Sequence, residues 1–99
     1  MIHIALADDH TILRKGVAEI LSKFDDMTVT IEAGNGKELI EKLASAAELP
    51  DICIVDINMP EMNGYETAAE IRKHWPDVKI LALSMYGRAA KMAFTTPNW

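Results

Sequence analysis

The sequence predicts an α/β fold with a doubly wound parallel sheet, and three observations carry that reading. Short apolar runs alternate with amphipathic stretches in the order β-α-β-α-β-α-β, joined by short connections. Two of the runs, residues 52–55 and 78–83, are almost wholly apolar, as suits strands covered by helices on both sides. The first and third runs end in acids: Asp8 and Asp9 follow residues 2–7, and Asp56 follows residues 52–55. In open α/β sheets, sites form outside the carboxyl ends of the strands.

Each element has its own signal. Residues 2–7 read as the first strand. Residues 11–24 follow as a helix, with Ile12, Leu13, Val17, Ile20, Leu21 and Phe24 at helical spacing. Asp25 and Asp26 end it. Residues 27–33 alternate, with Val29 and Ile31 set among Thr28, Thr30 and Glu32, which suits an edge strand. Asn35-Gly-Lys-Glu38 has the spacing of a capping box and opens a helix with Leu39, Ile40, Leu43 and Ala47 on one face. Asn63-Gly-Tyr-Glu66 repeats the signal for a third helix, with Tyr65, Ala68, Ala69, Ile71 and Trp75 as its apolar positions. Residues 78–85 form the fourth strand, which ends at Ser84. Residues 87–94 have the composition of a short helix that residues 95–99 cannot continue.

Bulk properties narrow the class. Ninety-nine residues make one domain, which buries about 65% of its unfolded surface. A net charge of −5 argues against direct nucleic-acid binding by this chain, because phosphate contacts need a basic face. One cysteine, Cys53, excludes an internal disulfide and fits a cytoplasmic location; inside an apolar strand it reads as a small core residue. No run reaches membrane-spanning length, and the first apolar run meets Asp8 too soon for a signal peptide. Gly34-Asn-Gly36 lacks the third glycine and the lysine of phosphate-binding loops and reads as turn chemistry.

The acids define the expected chemistry. Parallel neighbouring first and third strands bring Asp8, Asp9 and Asp56 together, where they repel and raise one another's proton affinity. A divalent cation with oxygen ligands relieves this, and Mg²⁺ suits a site of few carboxylates, a carbonyl and waters. His3, His10 and His74 show no metal-ligand spacing and read as surface residues.

These residues together resemble the receiver domain of two-component response regulators. The resemblance rests on Asp8-Asp9, Asp56, Asn58-Met59-Pro60, Asn63-Gly64 and Ser84. The wording of residues 5–21 and 56–86 is similar to the NarL/FixJ group, whose full-length members regulate transcription. The resemblance covers residues 1–86, an incomplete receiver domain, and leaves residues 87–99 as a tail unlike the family. It implies a flavodoxin-like sheet of strand order 2-1-3-4, with the family's fifth strand and fifth helix missing. It further implies that Asp56 takes a phosphoryl group from a sensor histidine kinase. Asp9 would then bind Mg²⁺ directly, Asp8 mainly through water, and Asn58 through its backbone carbonyl. Ser84 would hydrogen-bond a phosphoryl oxygen and report phosphorylation. The family's lysine at the end of the fifth strand has no counterpart, and Lys91 does not match its position.

On this reading the chain is a phosphoacceptor signalling domain, not an enzyme, and normally controls a DNA-binding output domain that lies outside it. The alternative is a signalling-impaired receiver that serves only as a protein interaction module. A metal-dependent phosphatase fits less well, because Asn58 stands where such enzymes carry a second acid. An open fourth strand would also be an apolar edge carrying Ile80, Leu81, Ala82 and Leu83. Such an edge predicts self-association through that strand or through exchange of the tail.

Overall fold

The computed structural model describes residues 1–59, 61–86 and 89–95, and gives only the backbone for residues 84–86 and 89–95. The elements follow in chain order as β1 (Ile2–Ala7), α1 (Thr11–Ser22), β2 (Met27–Ala33), α2 (Gly36–Ser45), β3 (Ile52–Asp56), α3 (Gly64–His74), β4 (Lys79–Tyr86) and β5 (Ala89–Thr95). Strands β2, β1, β3 and β4 lie side by side in that order, all parallel, as the sequence predicts. The register sets Ala7 beside Val55 and Asp56 beside Leu83, so the acids that follow β1 and end β3 arrive level with each other.

Two apolar layers hold the sheet. On one face Leu39 and Leu43 of α2 and Ala68 and Ile71 of α3 pack with Ala5, Ala7, Cys53, Val55 and Ile80, all nearly inaccessible. On the other, Ile4, Leu6, Ile54 and Leu83 meet Val17, Ala18 and Leu21 of α1. Cys53 is buried and reduced, as expected, and burial pushes its thiol pKa up to about 12.

Several apolar positions do not behave as their spacing suggests. Ile12, Ile20 and Phe24 are exposed, and α1 has no fully buried residue. Ala47 lies beyond the end of α2, and Tyr65 is exposed at the start of α3. Helical periodicity marks a broad apolar arc, but only its centre meets the sheet. Trp75, at the C-cap of α3, does pack against the core.

The tail differs most from expectation. Residues 89–95 form a strand, not a helix, and β5 runs antiparallel to β4 with Tyr86 opposite Ala89, Ser84 opposite Lys91 and Ile80 opposite Thr95. A helix of one or two turns gains little on its own, whereas the open edge of β4 offers a full row of backbone partners. The expected exposure of β4 is therefore corrected: its own chain covers that edge, which removes the basis for pairing between fourth strands or exchange of the tail. The slot left by the family's parallel fifth strand holds an antiparallel one.

Both predicted helix starts are found, but only Asn63–Glu66 closes the full capping box; at α2 the Glu38 carboxylate accepts from Gly34 N, one residue before the cap. Asn35 accepts from Glu38 N at 2.8 Å. Asn63 and Glu66 cap each other reciprocally, with Glu66 N donating to Asn63 Oδ1 at 2.9 Å and Asn63 N to Glu66 Oε1 at 3.2 Å. Asn63→Ala should lower stability by about 1 kcal/mol, read as a lower urea midpoint with an unchanged slope.

Candidate functional site

The carboxyl end of the parallel sheet gathers the acids. Asp8, Asp9, His10 and Asp56 each place one ligand-type atom within 4.8 Å of all the others. Asp8 and Asp56 are 1% and 2% exposed, so two carboxyl groups share one buried pocket. The three acids singled out in the sequence thus converge.

Each acid is held by the backbone around it. The Asp8 N–H donates to Ala33 O at 3.1 Å, which ties the end of β1 to the end of β2. Arg14, one turn into α1, donates from Nη1 to the Asp8 carbonyl at 2.7 Å. Asp56 Oδ1 accepts from Asn58 N at 3.1 Å, a local turn that explains the two-residue spacing. Asn58 is therefore in the site through its backbone, although its side chain is exposed. Beyond it, Glu61 holds a left-handed φ of 66°, a conformation that a non-glycine residue adopts at some cost. Ser84 lies one residue past Leu83, the partner of Asp56 in the sheet, and its side chain falls outside the described residues.

Sequence reasoning missed two contributors. His10 is at the surface, as the sequence suggests, and its Nδ1 also lies 3.2 Å from Asp8 Oδ1, 3.1 Å from Asp9 Oδ1 and 3.9 Å from Asp56 Oδ2. Its position directly after two acids was the available signal. The hydrogen bond that its ring makes to the Asp8 carboxylate, then the charges of Asp9 and Asp8, raise its pKa above the ordinary histidine value. The second is Gly64, which enters the sequence reading at a helix start and in the family resemblance but with no role of its own in the site. A Cβ there would lie 2.7 Å from Asp56 O and from Ile57 Cα, so glycine lets α3 begin directly against the loop that carries Asp56.

The electrostatics favour a cation. Burial first, then the nearby Asp8 and Asp9, push the Asp56 pKa above its usual range, against the opposing pull of the Asn58 N–H. Asp8 Oδ2 is buried and has no hydrogen-bond partner among the described residues. An unpartnered buried carboxylate oxygen costs on the order of 1–3 kcal/mol or more. A hard divalent ion with oxygen ligands fits this set of carboxylate donors.

A parallel sheet of order 2-1-3-4 with buried acids at its carboxyl end defines a class of signalling domain, and comparison with known proteins agrees. The response regulator receiver domain family matches residues 4–96. The chain is 43% identical over 82 residues to the nitrate/nitrite response regulator protein NarL of Escherichia coli K12, a match covering 83% of this chain and 37% of that protein. It is 38% identical over 88 residues to the transcriptional regulatory protein DegU of Brevibacillus brevis, covering 86% and 35%. Among solved structures, the response regulator domain of Thermotoga maritima CheB superposes with a TM-score of 0.78 at 31% identity, covering 85% of this chain and 60% of that one. The chain belongs to the response regulator receiver domain family of two-component systems, and it spans between a third and about two-fifths of the length of the curated relatives it matches.

Asp56→Asn should stabilise the metal-free protein. The folded-state pKa of Asp56 lies above its unfolded value, so the folded state binds the proton more readily. Stability then falls as pH rises from the ordinary carboxylate range through the raised value. At neutral pH the charge is a net liability, and Asn removes it. Thermal unfolding in chelator should show Tm higher by a few degrees for the variant, on a scale of roughly 4–8 °C per kcal/mol. The gain should shrink as pH falls to the ordinary carboxylate range.

Proposed function

We propose that this chain is a phosphoacceptor receiver that takes a phosphoryl group onto Asp56 with Mg²⁺ bound beside it. The observation that carries the reading is the buried, unpartnered Asp8 Oδ2 next to a second buried carboxylate, Asp56. In this reading Asp9 and Asp56 hold the metal by their carboxylates, Asn58 by its backbone carbonyl, and Asp8 chiefly through water. When bound, Mg²⁺ neutralises charge on the phosphoryl oxygens and among the acids.

The chain's own groups do the rest. The Asn58 N–H engages Asp56 Oδ1, which leaves Oδ2 as the attacking oxygen. Asp56 Oδ2 forms a bond to phosphorus as the bond from phosphorus to the donor breaks. From a phosphohistidine the leaving group is the imidazole nitrogen, which takes up a proton; from acetyl phosphate it is acetate. The product is an acyl phosphate on Asp56. Ser84, one residue beyond the level of Asp56 in β4, is assigned the hydrogen bond to a phosphoryl oxygen that reports the modification.

The donor on this reading is a sensor histidine kinase, and the output is transcription regulation through a DNA-binding domain beyond this chain, in keeping with the relatives' names. A two-domain regulator of this kind works in the cytoplasm, and among the described residues no helix is long and apolar enough to cross a membrane. The second reading, a protein interaction module that relays no phosphate, is favoured by the antiparallel course of β5, which carries Lys91 opposite Ser84 and not at the end of a parallel strand, where the family's lysine would offset the product's charge.

Two measurements decide. After treatment with acetyl phosphate and Mg²⁺, intact mass should show one added phosphoryl group on the wild type and none on Asp56→Asn; an unmodified wild type would support the interaction module. Titration with Mg²⁺ should show affinity lower by about tenfold or more for Asp9→Asn. Equal affinities would remove Asp9 from the ligand set.

A further inference from the structure

The side chain of His10 does nothing for the helix it begins. His10 stands at the N-cap of α1, and its carbonyl accepts from Arg14 N at 2.8 Å, but its ring makes no cap hydrogen bond. Ser, Thr, Asp and Asn suit that position best, because their oxygens accept from the first turn. The ring turns to the acids instead. Asp8 Oδ1 accepts from the His10 backbone N–H at 2.8 Å, a tight turn that brings the residue back toward the pocket. The Asp8 and Asp56 side chains are 1% and 3% exposed, whereas the His10 side chain is 65% exposed. One nitrogen atom therefore stands on the solvent side of a group of carboxylate oxygens, within 4.8 Å of a ligand atom from each acid.

We infer that His10 Nδ1 is a metal ligand of this site, and that the mixed set of nitrogen and oxygen takes a first-row transition ion such as Ni²⁺ more tightly than Mg²⁺. The inference rests on the metal site proposed above and adds to it a residue and a selectivity. The distances suit a shared ion. With bonds of about 2.1 Å, neighbouring ligand atoms lie about 2.9–3.4 Å apart and opposite ones about 4.2 Å. Nδ1 is 3.2 Å from Asp8 Oδ1 and 3.1 Å from Asp9 Oδ1, as neighbours are, and its 3.9 Å to Asp56 Oδ2 falls within the wider limit. Acids alone make no site. What points to an ion here is Asp8 Oδ2, buried and without a hydrogen-bond partner among the described residues. Carboxylate oxygens suit Mg²⁺, whereas imidazole suits Ni²⁺ and Zn²⁺, and affinity for nitrogen and oxygen sites rises along the first row toward copper. Mg²⁺, held by oxygens, leaves the imidazole aside. His10 thus sets which metal the site prefers, and the acids set whether it binds one.

Calorimetric titration of the untagged chain with Ni²⁺ and with Mg²⁺ tests this, at about pH 8, where fewer protons compete for the ligands. The wild type should bind Ni²⁺ at least about tenfold more tightly than Mg²⁺. His10→Ser places a preferred cap residue at an exposed position, so its Tm in chelator should not fall. It should lose about tenfold or more in Ni²⁺ affinity, at least the cost of losing an outer-shell partner, and keep its Mg²⁺ affinity. Asp56→Asn should weaken both ions. His74→Ala removes a histidine that pairs with Glu70 at 3.2 Å on α3, and should change neither. If Mg²⁺ binds but Ni²⁺ affinity is indifferent to His10→Ser, or both ions weaken equally in that variant, or Ni²⁺ binding is lost in His74→Ala, the inference is overturned and the Mg²⁺ site stands. A wild type that binds neither ion overturns both.

Discussion

The structure depends on one electrostatic constraint: two carboxylates buried side by side at the end of a parallel sheet. Asp8 follows β1 and Asp56 ends β3, and the register of those strands puts them level. Both are almost inaccessible, and one Asp8 oxygen has no hydrogen-bond partner among the described residues. Groups so placed are costly unless a counter-charge arrives. Much of the surrounding design holds the acids in place despite that cost. Arg14 fastens the Asp8 carbonyl, Ala33 accepts from its amide, and the Asn58 amide steadies one Asp56 oxygen. Beside them stands His10, whose raised affinity for a proton follows from the same crowding.

The two faces of the sheet are built to different standards. The face toward α2 and α3 is tightly packed, and those helices come so close to each other and to the Asp56 loop that Gly36 and Gly64 admit no Cβ. This stiffness serves the site, because Asp56 and Ile57 lie directly against Gly64 at the start of α3. The face toward α1 is looser: the helix touches the sheet along one edge and has no buried residue. Rigid packing therefore supports the chemistry, and the freer helix presents surface outward.

How much of this was legible in the sequence depends on how local the cause was. The presence and parallel direction of four strands followed from apolar runs and short connections, and their order in the sheet from the family resemblance. Both helix caps followed from Asn and Glu three residues apart. The three acids could be placed because a strand's end and its polarity are visible in the same few residues. What the sequence did not show came from contacts between distant segments. The exposure of Ile12 and Ile20 depends on where α1 leans against the sheet, which periodicity leaves open. The approach of His10 to the acids is set by the loop's path. The strand at residues 89–95 exists because β4 offers an open edge, and local composition, rich in alanine, points instead to a helix.

Cys53 supplies a last consequence. It sits mid-strand in β3, three residues from Asp56, fully inaccessible and with its thiol pushed up to about 12. Thiolate is the reactive form, so a thiol reagent reaches this atom only when the central strand itself opens. The single thiol is thus a chemical clock for opening of the sheet: its rate of labelling reads, with no residue introduced for the purpose, how firmly the strand that carries the acid is held.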